Sequence, residues 1–219
     1  MLPEPFAALL DEARVLLDRP LSVEDGLPEV ELRQAETRLG IFLPFALRLF
    51  YQHLGRVEML TESFQRFASP QQLSLHQGRI VFLEEHQQVC YWSVDHAGSV
   101  FQIPDLGEAE AYPEPQPLEC FLHTLLYYQL AQGGYPYCAQ RYLPAAVTAE
   151  EQIRQLHPAA ARPAVAVDGL RIWLGSGPIL LWCLPDPEGF APDGLFLSAL
   201  HPQLFQQYCA RWNFTDLSG

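Results

Sequence analysis

The sequence predicts an α+β fold: a mostly antiparallel twisted sheet of about six strands flanked by helices, in a single domain. Two observations carry this. Stretches with helical spacing of apolar residues open and close the chain, and between them short β-rich runs follow one another without the strand–helix–strand alternation of a parallel sheet. Composition is the third: 49% of the 219 residues are hydrophobic and 18% charged, the balance of a packed globule. One domain of residues 1–219 is expected, with N-terminal helices over 5–55, sheet and helices over 78–132, and C-terminal helices and strands over 148–212.

The first helix is set by Phe6, Leu9, Leu10, Ala13, Leu16 and Leu17, recurring between Pro5 and Pro20 with charges on the other face. A second begins at Pro28, whose fixed φ suits a first helical position. It carries Leu32, Ala35 and Leu39 inward and stops at Gly40, where glycine suits a left-handed cap. Leu43 and Pro44 restart a helix with Phe45, Leu49, Phe50 and Leu54, closed by Gly55.

The period then switches. Residues 79–83, 88–94 and 100–103 are rich in Val, Ile, Phe, Tyr and Trp and read as a three-stranded meander with turns at 84–87 and 95–99. Residues 106–117 are acidic and proline-rich, which predicts an exposed loop. Leu118, Phe121, Leu122, Leu125, Leu126 and Gln129 mark a helix ended by Gly133 and Gly134. Thr148 with Glu151 forms a capping box for a short helix through Leu156. Asp168-Gly169 signals a hairpin between 164–167 and 170–174, residues 179–184 read as an interior strand, and 194–199 as another. A helix over 202–212, with Leu204, Phe205 and Tyr208 inward, closes the pattern.

A net charge of −13, from 26 acidic and 13 basic residues, without a dense Arg cluster, argues against direct nucleic-acid binding. The first residues lack a basic leader, and no segment offers some twenty uninterrupted apolar residues, so neither a signal peptide nor membrane insertion is expected. Five widely spaced cysteines read as free thiols of a reducing cytoplasm.

Catalytic chemistry finds little support. Gly175-Ser176-Gly177 lacks the third glycine of a dinucleotide loop and the Gly-Lys-Ser/Thr of a phosphate loop, and it joins two expected strands, which predicts a turn. The seven histidines show no metal-ligand spacing, and there is no Cys-x-x-Cys pair. No catalytic, cofactor-binding or metal-ligating residue is therefore assigned. Glu84, Glu85 and Asp95 in turns, and Glu108, Glu110 and Glu114 in the acidic segment, are candidate contacts for a protein partner. Their alternative is a plain solvated surface.

The run Glu31-Leu32-x-x-Ala35-Glu36-x-x-Leu39-Gly40-x-x-Leu43-Pro44-x-x-Leu47-Arg48-x-x-Tyr51 resembles the opening signature of the SUKH superfamily. The expected strand around Ile80-Val81-Phe82, Glu84-Glu85-x-Gln87, and Cys90-Tyr91-Trp92 follow in the same order. That superfamily includes yeast cell-wall regulators, the bacterial Syd protein and many immunity proteins. The likeness spans roughly residues 27–132, and departs where Leu54-Gly55-Arg56 stands in place of an Asn-Gly turn. It implies a non-enzymatic bacterial protein-binding domain of the immunity type, neutralising a toxin such as a basic nuclease. The alternative is a cytoplasmic regulator or scaffold without a toxin. A monomer or weak homo-oligomer is expected in either case.

Overall fold

The computed structural model describes residues 4–104, 110–144, 147–157, 162–185 and 194–218. Seven α-helices and twelve strands lie among them, every strand pair antiparallel, so the class is α+β. The strands form two sheets of six rather than one sheet of about six. All the predicted pairs are antiparallel, and nothing in their sequences marks where one sheet stops. The chain divides into two compact units: residues 1–12 with 20–129, and residues 13–19 with 130–219.

The first unit holds most of helix α1 (Glu4–Leu17), a 3-10 turn at Val23–Asp25, α2 (Glu29–Leu39), α3 (Phe45–Leu54) and the short α4 (Glu58–Thr61). Its sheet comprises β1 (Gln65–Phe67), β2 (Ser74–His76), β3 (Arg79–Glu85), β4 (Tyr91–Val94), β5 (Ser99–Ile103) and β6 (Tyr112–Pro117), and α5 (Leu118–Gln129) follows. The order is β1-β3-β4-β5-β6, with β2 also paired to β3. Gly40 ends α2 at φ 71°, as the sequence predicts. Pro28 and Pro44 stand one residue earlier than expected, as extended N-caps. Gln77 and Gly78 both take positive φ, 51° and 77°, making the tight turn that joins β2 to β3.

A file of rings holds this unit's core. Phe50 of α3 stacks on Phe67 of β1 at 4.6 Å, Phe67 meets Phe82 of β3 at 6.1 Å, and Phe82 meets Phe121 of α5 edge-on at 6.2 Å. Offset and edge-to-face pairs of this kind add to the burial of their area. Gln129, fully buried, accepts the Gln65 N–H at 2.9 Å and donates to the Gln65 and Leu60 carbonyls at 2.6 and 3.1 Å. One side chain thus ties the end of α5 to α4 and β1.

The expected loop over 106–117 is corrected in its second half, which is strand β6 on β5, with Phe101 opposite Pro113 and Gln102 opposite Tyr112. Pro113, Pro115 and Pro117 alternate, so their missing donors share one edge of the strand. β6 ends the sheet order, so among the described residues its outer edge meets no strand and a proline there leaves no ladder bond unmade.

The second unit takes the end of α1, a wide π-type turn at Leu130–Gly134, β7 (Tyr137–Tyr142), α6 (Ala149–Leu156), β8 (Val165–Val167), β9 (Leu170–Leu174), β10 (Ile179–Cys183), β11 (Gly194–Ala199), α7 (Pro202–Trp212) and β12 (Thr215–Asp216). Its strand order is β12-β7-β11-β10-β9-β8, and β10 is buried throughout, the interior strand its continuous apolar run predicts. Trp173, Ile179, Leu181, Leu195, Leu197, Phe205 and Trp212 form the core. The capping box forms as expected, with Thr148 Oγ1 accepting the Glu151 N–H at 3.2 Å. Asn213, the only asparagine, closes α7 at φ 54°. No helix among the described residues is long and apolar enough to cross a membrane.

Candidate functional site

Register decides which of the six candidate carboxylates meet. Glu84 stands opposite Tyr91, Tyr91 opposite Ile103, and Tyr112 opposite Gln102, so the end of β3, the start of β4, the end of β5 and the start of β6 share one end of the first sheet. Glu84, Glu85 and Glu114 lie at that end, and exposed Glu110 precedes β6 there. Asp95 sits at the opposite end, in the turn after β4. Glu108 lies outside the described residues.

Glu84 and Glu85 are not in a turn, as the sequence suggests, but complete β3. Gln65 of β1 lies opposite Glu85, and Arg66 opposite Glu84, which extends the strand by two residues. A three-residue strand such as β1 has too short a period to announce itself, so its partner's length could not be read either. Glu85 also accepts the Gln87 N–H at 2.6 Å, fixing the following turn.

Two of these carboxylates are engaged within the fold. Glu114 accepts the Trp92 indole N–H at 2.8 Å, satisfying a donor that is nearly buried. Asp95 accepts the backbone N–H groups of Ala97 and Ser99, each at 2.9 Å. Partial burial raises its carboxyl, and the bonds from Ser99 and Ala97 outweigh this to hold it below the usual range. This is a turn device. Cys90 lies close enough to Glu85 and Glu114 to feel both: burial pushes its thiol up, and the two carboxylates add to that rise. A thiol so placed is a poor nucleophile.

What this end offers is a surface. Glu84, with exposed Glu62 and Arg66, lines one face of it, whereas Glu85, next to it on β3 and so turned to the other face, acts on Cys90 together with Glu114. Val89 and Tyr112, 61% and 56% exposed, stand at the same end. A cleft of about 560 Å³ runs between Glu62, Arg66, Gln72, Glu84 and Tyr91.

A second surface lies within the 31–51 run. Glu36, only 8% exposed, accepts the Leu43 N–H at 3.1 Å, and Leu43 is buried, so the connection is architectural as the sequence suggests. Yet the residues between and beside them project outward: Phe42 is 84% exposed and Phe45 61%. Helical spacing alone reads Phe45 as an inward residue.

Comparison with family models, curated proteins and solved structures returns no match. Among the described residues, no group of three or more His, Cys, Asp or Glu side chains is placed to hold a metal ion.

Proposed function

We propose that this chain is a non-catalytic protein-binding domain of the immunity type, acting in the bacterial cytoplasm, which engages a basic partner protein through the acidic end of its first sheet. The observation that carries the reading is that Glu84, Glu85, Glu110 and Glu114 fall at one end of the first sheet, the end that also carries exposed Val89 and Tyr112. On a chain of net charge −13 such an end steers a basic partner and speeds encounter. The resemblance of the 31–51 run to the SUKH signature supports the same reading, with a toxin such as a nuclease as the partner. None of the five cysteines is in a disulfide, which suits a reducing compartment.

The test is association of the purified chain with the protein encoded beside its gene. Glu84, Glu85 and Glu110 changed together to Gln should slow association about tenfold or more at low salt and flatten its salt dependence. No association with the neighbouring gene's product would end the immunity reading. Association with rates untouched by the triple change would move the contact elsewhere.

A regulator or scaffold without a toxin is favoured by a different observation, the exposed pair Phe42 and Phe45. Loss of binding in F42S/F45S with the acidic variant unimpaired would support that reading.

A further inference from the structure

The second unit carries a cleft of about 400 Å³ lined by His157, Ser176, Gln207, Tyr208, Arg211 and Trp212, in the size range of small-ligand sites. It is assembled from three separate places: the residue after α6, the Gly175-Ser176-Gly177 turn between β9 and β10, and the last turns of α7. On a chain with twice as many acidic as basic residues, no carboxylate lines it among the described residues. Arg211 has no ion-pair partner among the described residues.

The hydrogen bonds decide what the cleft presents. Tyr208 Oη accepts the Ser176 backbone N–H at 2.9 Å, so its own proton is left to donate elsewhere. His157 Nε2 lies 3.0 Å from Ser176 Oγ, and His157 Nδ1 is buried with no partner among the described residues. An unbonded lone pair at Nδ1 costs less than an unbonded buried N–H, which places the proton on Nε2, donating to Ser176 Oγ. Ser176, like Tyr208, is then an acceptor toward the protein and a donor toward the cleft. This tautomer also removes the base a serine nucleophile would need, since Nε2 already carries a proton.

Two hydroxyl donors and an unpaired guanidinium, with no competing carboxylate, are the complement of an oxyanion. We propose that this cleft binds the anionic head of a small molecule, a phosphate or carboxylate, through Arg211, Tyr208 and Ser176, with Trp212 as an apolar wall. The cleft belongs wholly to the second unit, the acidic sheet end to the first.

The test is an NMR titration of the full-length chain with inorganic phosphate and, separately, acetate, against chloride at matched ionic strength, reading the Ser176, Gly177 and Tyr208 amides. At least one oxyanion should give saturable shifts that chloride does not reproduce. Binding should weaken by at least about tenfold in R211Q, the usual loss for a charge-assisted bond, and persist in R33Q, a control arginine of the first unit. Which probe saturates separates a phosphate from a carboxylate ligand. No saturable shift with either, equal shifts with chloride, or undiminished binding in R211Q would overturn the proposal. Covalent labelling of Ser176 by a fluorophosphonate would overturn it in favour of a nucleophilic serine.

Discussion

The Glu36 carboxylate accepts the Leu43 backbone N–H at 3.1 Å, so a side chain of the last turn of α2 fixes the chain's entry into α3. The same oxygen lies 3.4 Å from Arg48 Nε. Removing the acceptor leaves a buried N–H unbonded. E36A should therefore lower unfolding stability by about 1–3 kcal/mol, and E36Q, whose amide oxygen still accepts, by less. Urea denaturation of the two variants compares them directly.

Glu29 makes acid sensitivity local. Its carboxylate meets Arg48 at 2.7 Å and Arg33 at 2.8 Å, and also accepts from Gln52. The Arg48 bond first, then the Arg33 bond, pull its carboxyl from about 4.5 down to about 2. A folded value below the unfolded one means a contribution present above about pH 4.5 and lost progressively as pH falls toward 2. The stability gap between wild type and E29Q should thus shrink across that window. Thermal melts at stepped pH would show it, and a gap independent of pH would refute the assignment.

The α5 helix was legible because its stripe has a period, whereas the buried role of Gln129 was not. Nothing in the sequence separates a glutamine that ends an exposed face from one that bonds α4 and β1 across more than sixty positions. The same limit applies to the strands. β10 announces itself by five consecutive apolar residues, but β1 and β2, at three residues each, are set by pairing with β3. Of the candidate site, residue type was readable and position was not: the acidic residues were found, while their gathering at one sheet end depended on register. The cleft of the second unit was unreadable for a simpler reason, since His157 and Ser176 lie nineteen positions apart and meet through the packing of a sheet and two helices.

Gln129 gives the sharpest test of the first unit. Q129L keeps the volume and removes all three bonds, stranding the Gln65 N–H and C=O and the Leu60 C=O. The loss should be on the order of 3 kcal/mol or more, larger than a surface change of the same size. Amide hydrogen exchange should show lost protection at Gln65 first.

Gly26 is a matter of room. A Cβ there would stand 1.7 Å from the Gln52 carbonyl oxygen, on the backbone of α3, so no rotamer can relieve the clash. The turn also bonds that helix through the Leu27 N–H to Tyr51 C=O at 2.8 Å. G26A should force the turn off α3 and cost about 1–3 kcal/mol or more. A stability within error of wild type would mean that the turn can shift freely.

The alternating prolines of β6 carry the last prediction. An unpaired strand edge recruits other strands, and proline is one of the ways proteins blunt it. Pro113 and Pro115 remove donors from the outer edge while Glu114 between them holds the Trp92 indole. Changing both prolines to Thr restores those donors without touching the side that faces β5. The variant should keep the wild-type fold by circular dichroism yet associate more with rising concentration in sedimentation velocity. If it sediments as wild type does at every concentration, the prolines serve only to end the sheet's hydrogen bonding and do not guard it.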